Sequence, residues 1–404
     1  MDVYRATDLT GKEARSECFR NKTLTVISHS GLHDTEALLI ERGGTAVGSA
    51  TSILVAGNRT GMVALVAQQQ FPASRVTCHA FDLHHAKAIL RNFERNGVAS
   101  VFRCDAFVES PSVAPSTAAA PFTVACTAAI PEGPYDLALF MSSTADMTGE
   151  LVLDQLEDIH AQLAVGGTCL FAYQGDVGTV LKQARELFGT FSILVERKGL
   201  VCVQLVKQRA AFTRRSFQAT FPASVPGGEP ITLISLPGVF CHRRPDMGGL
   251  ALAEVVARAL KSGQRILDLG CGCGLVGLLL ASRQADARVT YLDSHARALA
   301  ATWANVQALG VQGRSRLVLS DSGCATGERY DVVAGNPPYY SDYRIAQLFV
   351  DCAAQVMDVG ARGYLVAKSV GGLARCVKCR FTEVDIVPRR GYGVVAFNRE
   401  QERS

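Results

Sequence analysis

Residues 265–274 read RILDLGCGCG, an apolar run followed directly by three glycines at alternate positions. The apolar run predicts a β-strand, and the glycines predict a tight turn into a helix that we expect over 274–283. Such a turn lets a ligand approach the main chain, because no Cβ stands in its way. Nucleotide-binding folds in general use turns of this kind, so the turn predicts a fold class before it predicts a ligand.

The residues that follow extend the same alternation of elements. Residues 288–292 predict a second strand and residues 296–309 a second helix, and apolar runs alternate with amphipathic segments on both sides of them. This order predicts an α/β fold with parallel strands and right-handed crossovers, which is a doubly wound sheet. Ligands of such sheets bind beyond the carboxyl ends of the strands. Gly270, Gly272, Gly274, Asp293 and Asn336 all follow predicted strands, so we expect them to line one crevice.

The turn Asn336-Pro337-Pro338-Tyr339 carries the most specific chemistry in the chain. The side-chain oxygen of Asn336 and the carbonyl of Pro337 can each accept one hydrogen of a flat NH2 group. The two prolines fix φ on a loop that must not move, and Tyr339 offers a face on which a planar group can stack. We therefore predict a site that holds an amine nitrogen.

Acidic residues near the glycine turn indicate the cofactor. Asp268 precedes the turn, and Asp293 ends the next strand, where its carboxylate can accept hydrogen bonds from two ribose hydroxyls. Asp321 closes the strand at 317–319, where an adenine amine can be recognised. A dinucleotide would fit these acids too, but the Asn-Pro-Pro-Tyr turn is foreign to dehydrogenases. The combination predicts methyl transfer from S-adenosylmethionine to a planar nitrogen, with no general base required.

An internal repeat predicts two domains of the same fold. Shifted by 213 positions, residues 53–57 fall on 266–270 and residues 75–77 on 288–290, while 135–136 match 330–331 at an offset of 195. The offset changes because the first half carries a Ser/Pro/Ala-rich insertion near 110–131, which we expect to be a surface loop. We place the domains at 1–207 and 208–404. The first domain is expected to be degenerate, since four positions of the site differ there: Val55, Arg59, Ala80 and Met141 replace Asp268, Gly272, Asp293 and Asn336.

Composition limits the class of protein. Hydrophobic residues make up 48% and charged residues 19% of the 404 residues, as in globular proteins with a large core. We find no apolar stretch of membrane-spanning length and no signal-peptide core near the start, and the 13 cysteines have no regular spacing. These features favour a cytoplasmic protein. Cys376 and Cys379 have the spacing of a zinc knuckle, but no second pair follows, so we expect no metal site.

The motifs resemble the class I Rossmann-like methyltransferases. The doubled architecture is similar to that of the bacterial ribosomal RNA guanine-N2 methyltransferases, the family of the small-subunit enzyme C and the large-subunit enzyme G. The sequence PGVF at 237–240, followed by DMGG at 246–249, is similar to their entry into the catalytic domain. The resemblance implies that Asp246 and Gly248 border the cofactor pocket, that the first domain helps to bind RNA, and that ribosomal RNA or a ribosomal subunit is the partner. The doubled chain could work as a monomer through pairing of its two domains.

One departure from the family keeps other targets open. The family usually has Asn-Pro-Pro-Phe followed by His, whereas Tyr339 and Tyr340 stand here. Asn-Pro-Pro-Tyr also occurs in adenine-N6 and protein glutamine-N5 methyltransferases, which are therefore alternatives to a guanine-N2 enzyme. A non-catalytic RNA-binding or ribosome assembly factor is the alternative of another class. The basic pairs Arg243-Arg244 and Arg389-Arg390 are candidates for contacts with RNA phosphates.

Overall fold

A computed structural model divides the chain into two compact units, unit 1 comprising Met1–Asp105 with Ala114–Phe217, and unit 2 comprising Ala106–Val113 with Gln218–Ser404. The structure describes residues 16–19, 22–26, 32–42, 47–57, 59–113, 115, 120–144, 147–210, 212–322, 327–338 and 343–400. Within these ranges, no helix has both the length and the apolar character needed to cross a membrane.

Unit 1 alternates strands and helices from Asp34 onward. Its described elements are β1 (Ser16–Phe19), β2 (Lys22–Thr25), α1 (Asp34–Arg42), β3 (Ser52–Ala56), α2 (Met62–Gln70), β4 (Arg75–Ala80), α3 (Leu83–Arg95), β5 (Ser100–Cys104), β6 (Phe122–Cys126), β7 (Tyr135–Ser143), α4 (Gly149–Gln162), β8 (Leu163–Gln174), α5 (Val177–Phe188), β9 (Gly189–Arg197) and β10 (Leu200–Lys207). In the described part of this unit, eight strands form one sheet in the order β5-β6-β4-β3-β7-β8-β10-β9. The strands from β5 to β8 pair in parallel, whereas β10 pairs antiparallel with both β8 and β9.

Unit 2 begins with a hairpin and then repeats the same alternation. Its elements are β11 (Ala219–Ala223), β12 (Ile231–Ser235), α6 (Met247–Ala259), β13 (Arg265–Leu269), α7 (Leu275–Arg283), β14 (Arg288–Asp293), α8 (Ala296–Ala308), β15 (Ser315–Leu319), β16 (Tyr330–Gly335), α9 (Arg344–Val356), β17 (Met357–Ala367), α10 (Val370–Lys378), β18 (Val384–Arg389) and β19 (Tyr392–Asn398). Seven described strands form one sheet in the order β15-β14-β13-β16-β17-β19-β18. The first five pair in parallel and β19 pairs antiparallel with β17 and β18.

These two sheets confirm the predicted tandem Rossmann-like architecture. The strands predicted at 265–269 and 288–292 and the helices predicted at 274–283 and 296–309 agree with β13, β14, α7 and α8 to within one residue at each end. In unit 2 the apolar face of α9 and α10 packs on the sheet around buried residues such as Leu269, Val333 and Leu365. The core therefore lies directly beneath the strand ends that carry the predicted site.

The two units share local hydrogen bonds as well as element order. The carboxylate of Asp136 accepts from the backbone N of Ser52 at 3.1 Å, and that of Asp331 accepts from the backbone N of Arg265 at 2.8 Å. Ser52 and Arg265 are 213 positions apart, and Asp136 and Asp331 are 195 apart. The same contact at both offsets supports an internal duplication.

The segment predicted as a loop near 110–131 contains structure. Strand β6 has no counterpart in the sheet of unit 2, and it lies between β5 and β4 with four of its five residues buried. Its sequence, FTVAC, is apolar and β-branched, which suits a buried strand. The insertion therefore adds a strand to the first sheet and is not only a surface loop.

The boundary between the units also differs from the predicted position at 207/208. Unit 1 continues to Phe217. In this extension Arg214 forms ion pairs with Asp154 and Asp158, and Arg215 forms one with Glu157. All three acids lie on α4, so these contacts attach the connecting segment to unit 1.

Candidate active site

The glycine turn of unit 2 has the backbone that its sequence predicts. Gly270, Gly272 and Gly274 have φ values of 70°, 59° and 81°, in the left-handed region that disfavours other residues. A Cβ on Gly270 would lie 2.9 Å from the Phe349 ring, whereas one on Gly272 would meet no described atom within 4 Å. The backbone at Gly272 therefore lies open to a ligand, and the first glycine serves close packing.

Helix α8 holds the turn in place. The side-chain nitrogen of Asn305 donates to the carbonyl of Cys273 at 2.9 Å, and the hydroxyl of Thr302 donates to the carbonyl of Gly272 at 3.0 Å. Neither Asn305 nor Thr302 was predicted to belong to the site. A signal existed, because Asn305 aligns with Asn92 in the repeat, and Asn92 makes the matching bond to the carbonyl of Thr60 at 2.8 Å.

Two of the predicted acids flank the turn. Asp268 is buried and accepts from the backbone N of Gly277 at 2.8 Å, and its burial raises its pKa to about 7. Asp293 accepts from the backbone N of Gly272 at 2.9 Å and of His295 at 3.0 Å. The Asp293 carboxylate thus lies beside the one glycine of the turn that faces open space.

Asp321 lies at the same edge of the sheet. It is half-buried and follows β15, and its neighbour Ser320 donates from its backbone N to the carbonyl of Asp293 at 2.9 Å. The end of β15 and the end of β14 are therefore joined where the acids stand.

Asn336 follows β16 and reaches the start of helix α6. Gly335 pairs with Leu269 in the parallel ladder of β16 and β13, so Asn336 and Gly270 leave the sheet side by side. The side-chain nitrogen of Asn336 donates to Asp246 Oδ2 at 2.6 Å. Asp246 is the N-cap of α6 and accepts from the backbone N of Gly248 at 2.9 Å and of Gly249 at 2.8 Å.

The remaining predicted residues of this turn are described in part. Pro337 is buried and Pro338 is half-buried. Tyr339 and Tyr340 lie outside the described residues. The start of α6 approaches the glycine turn as well, since a Cβ on Gly249 would lie 3.0 Å from Leu275, the first residue of α7. The described residues of the two predicted clusters therefore meet at one end of the sheet.

The basic pairs differ in what they contact. Arg389 and Arg390 both bind the carboxylate of Glu254, a residue of α6 that is only 1% exposed. These ion pairs, which the sequence did not reveal, neutralise a buried acid, and the proposed phosphate contacts of Arg389-Arg390 stay a prediction. Arg243 and Arg244 are exposed on the segment before Asp246 and stay candidates for phosphate contacts.

In the described residues, no three His, Cys, Asp or Glu side chains cluster closely enough to hold an ion. Cys376 and Cys379, at the end of α10, are free thiols.

Comparison with known proteins identifies the family. Residues 230–396 match the model of the methyltransferase small domain. The chain is 34% identical over 214 residues to ribosomal RNA small subunit methyltransferase C of Vibrio vulnificus, an alignment that covers 51% of this chain and 61% of the relative, less than two thirds of its length. It is 30% identical over 248 residues to the protein of the same name from Pseudomonas syringae pv. tomato, covering 59% of this chain and 71% of the relative. The chain belongs to the ribosomal RNA small subunit methyltransferase C family.

A solved structure of this kind supports the fold. A 16S rRNA N2 methyltransferase of T. thermophilus, in complex with AdoMet and guanosine, superposes with a TM-score of 0.71 at 20% identity and covers 98% of this chain and 100% of its own. At that identity the match shows a shared fold over both units. The predicted resemblance to the methyltransferase C family is confirmed.

Proposed function

We propose that unit 2 transfers a methyl group from S-adenosylmethionine to the exocyclic N2 amine of a guanine in ribosomal RNA of the small subunit. The observation that carries this proposal is the orientation of Asn336. Its side-chain nitrogen is committed to Asp246, so its side-chain oxygen is the atom left to accept an amine hydrogen. Family membership and the printed names of its relatives support ribosomal RNA as the substrate.

The protein's task in this reaction is to position the amine. The lone pair of an exocyclic nitrogen is delocalised into the ring, which makes the nitrogen a weak nucleophile. Hydrogen bonds from its two N–H groups to Asn336 Oδ1 and to the carbonyl of Pro337 hold it in place and favour a more pyramidal nitrogen. A charge-assisted bond from the Asn336 amide to a carboxylate also makes the amide oxygen a stronger acceptor.

The residues around the glycine turn fit S-adenosylmethionine. When bound, this cofactor supplies a methyl group activated by its sulfonium. The open backbone at Gly272 leaves room for the ligand, and in this proposal Asp293 accepts from the ribose hydroxyls and Asp321 from the adenine amine. The positive charges of the cofactor would favour the ionised form of Asp268, whose pKa is otherwise raised to about 7 by burial.

The decisive test is the nucleoside that receives the label. The protein is incubated with methyl-labelled S-adenosylmethionine and total ribosomal RNA, and the nucleosides are separated by mass spectrometry. We expect label in N2-methylguanosine. We expect Asn336→Ala to lose activity by at least about 100-fold, because the amine loses an acceptor and its alignment, while cofactor affinity is retained.

Other outcomes point to the alternatives. Label in N6-methyladenosine or in protein glutamine would keep the chemistry and replace the substrate, as the Tyr after the prolines allows. Cofactor binding without any labelled product would favour a non-catalytic RNA-binding or assembly factor. A role for unit 1 in binding the RNA, a cytoplasmic location and a monomeric state belong to the same proposal and stay predictions.

A further inference from the structure

The carboxylate of Asp246 accepts hydrogen bonds both from the start of α6 and from Asn336 in the turn after β16. Its Oδ1 accepts from the backbone N of Gly248 at 2.9 Å. Its Oδ2 accepts both from the backbone N of Gly249 at 2.8 Å and from the side-chain nitrogen of Asn336 at 2.6 Å. Asp246 and Asn336 are 90 positions apart, so this bond ties the start of α6 to the end of β16.

The carboxylate selects one of two orientations of the Asn336 amide. An amide has a donor end and an acceptor end, whereas an ionised carboxylate only accepts. If the amide rotated by half a turn, its oxygen would face the Asp246 oxygen with no hydrogen between them, and an NH2 donor would face the substrate amine. We propose that Asp246 is a positioning residue, which fixes the acceptor end of Asn336 toward the substrate, and that this is its main role instead of contact with the cofactor. This inference rests on the proposed function of Asn336.

The start of α6 leaves the carboxylate little freedom to move. Gly248 and Gly249 are buried, and a Cβ on Gly248 would lie 3.2 Å from the Asn336 side-chain nitrogen and 3.2 Å from the Tyr392 ring. A Cβ on Gly249 would lie 2.9 Å from Asp246 Oδ2. The two glycines therefore allow the helix end to lie directly against the amide.

Unit 1 provides an internal comparison. At the positions 213 residues earlier, His33 replaces Asp246 and Glu36 replaces Gly249, and at the later offset of 195 Met141 stands in place of Asn336. There the helix start is satisfied from within, since the Glu36 carboxylate accepts from the backbone N of His33 at 3.2 Å and from the Thr60 hydroxyl at 2.8 Å. Helix α1 thus forms without an Asp-x-Gly-Gly start. The helix start formed by Asp246, Gly248 and Gly249 therefore occurs in unit 2, the unit that also contains Asn336.

The substitution Asp246→Asn separates the possible roles. It has nearly the same shape, and its oxygen can still accept from the Gly248 N–H group as Oδ1 does. The NH2 group that takes the place of Oδ2 now requires an acceptor, so the Asn336 amide should turn its oxygen inward. We expect kcat at saturating S-adenosylmethionine to fall about 100-fold. We expect the dissociation constant for the cofactor to change by less than about threefold and Tm to stay close to that of the wild type.

A reciprocal variant and a control complete the test. In the double variant D246N/N336D the donor and acceptor are exchanged, so part of the lost kcat should return. Asp82 caps α3 in unit 1 by accepting from the backbone N of His84 at 2.8 Å, so Asp82→Ala controls for the loss of a helix cap in the unit that lacks Asn336. It should lower Tm and leave kcat unchanged.

Two results would overturn the inference. A D246N variant with wild-type kcat would show that only the helix cap matters. A rise in the cofactor dissociation constant with kcat unchanged at saturation would return Asp246 to the cofactor pocket. Because kcat is measured on whichever substrate the wild type labels, and the cofactor dissociation constant needs no substrate, a failure of the guanine assignment would be seen separately, in the identity of the labelled nucleoside.

Discussion

His160 is a buried histidine of α4 that cannot be charged at low cost. It is 0% exposed, and neither ring nitrogen has a hydrogen-bond partner among the described residues. The ring packs edge-on between Phe188 and Phe212, with centroids 5.1 and 4.6 Å away. Burial, and secondarily the charge of Lys207, lowers the pKa of His160 to about 4.

Because His160 is held neutral in the folded chain, we expect the protein to lose stability in mild acid. The folded chain keeps His160 neutral while the unfolded chain protonates it near pH 6.5, so the stability is present above that pH and is lost as pH falls toward 4. From pH 7.5 to pH 5 we expect a loss of about 1–2 kcal/mol in the free energy of unfolding. His160→Phe keeps an aromatic ring and cannot titrate, so urea unfolding at both pH values should show a smaller acid loss. Equal losses in both proteins would contradict the assignment.

Residue motifs that are continuous in sequence were predictable, and contacts between distant residues were not. The glycine turn, Asp293 and Asn336 each follow a strand, and the fold brings strand ends together at one edge of a sheet. The bond from Asn336 to Asp246 and the pairing of Glu254 with Arg389 depend on how α6 packs, which no local pattern encodes. The sequence therefore indicated which residues gather at this edge of the sheet but not what orients them.

At the scale of elements, a short segment from the first half of the chain completes the sheet of unit 2. Within Ala106–Val113, the backbone N of Glu109 donates to the carbonyl of Leu317 at 3.0 Å, and its carbonyl accepts from the backbone N of Leu319 at 2.8 Å. Phe107 stacks on Trp303 with a centroid distance of 5.9 Å and an interplanar angle of 3°. The segment covers the edge of β15, which would otherwise expose unpaired backbone groups.

The sequence could not reveal this segment, because its Ser/Pro-rich surroundings resemble an unstructured insertion and its partner strand lies about 200 positions away. A comparison of the two repeats does not reveal the segment either, since a segment without a counterpart produces only a change of offset between matching positions. Strand β6 was also missed, because it lies in the same insertion and has no counterpart in unit 2.

Substitutions at Glu109 test the pairing. Glu109→Pro removes the N–H that bonds to Leu317 and should cost about 1–3 kcal/mol in the free energy of unfolding. The matched variant Glu109→Ala keeps the N–H and removes only the exposed ion pair with Arg316, so it should cost less than about 1 kcal/mol. The chain has one tryptophan, so Trp303 fluorescence reports the release of Phe107 directly. Identical behaviour of the two variants would argue against the backbone pairing.

At the scale of the whole molecule, the two units share a scaffold and differ at the positions that we propose for the chemistry. Helix α2 and helix α7 both begin after a glycine in the left-handed conformation, Gly61 with φ 84° and Gly274 with φ 81°. The turn of unit 1 nevertheless carries Arg59 where unit 2 has Gly272. The buried Glu36 also lies next to this turn, because its carboxylate accepts a hydrogen bond from the Thr60 hydroxyl. The scaffold glycines remain, whereas the position that opens to the ligand has a side chain.

We therefore expect the chain to bind one molecule of S-adenosylmethionine. Isothermal titration of the full chain should give a stoichiometry of one, because Val55 and Ala80 leave unit 1 without the acids that unit 2 supplies through Asp268 and Asp293. Asp293→Ala should weaken this binding by at least about tenfold, since it removes an acceptor for the ribose hydroxyls and the partner of the Gly272 N–H. Arg59→Gly restores the middle glycine in unit 1 and should still give one site, because a glycine alone provides room without recognition. A stoichiometry of two in the wild type, or binding that survives Asp293→Ala unchanged, would mean that unit 1 has kept a cofactor site.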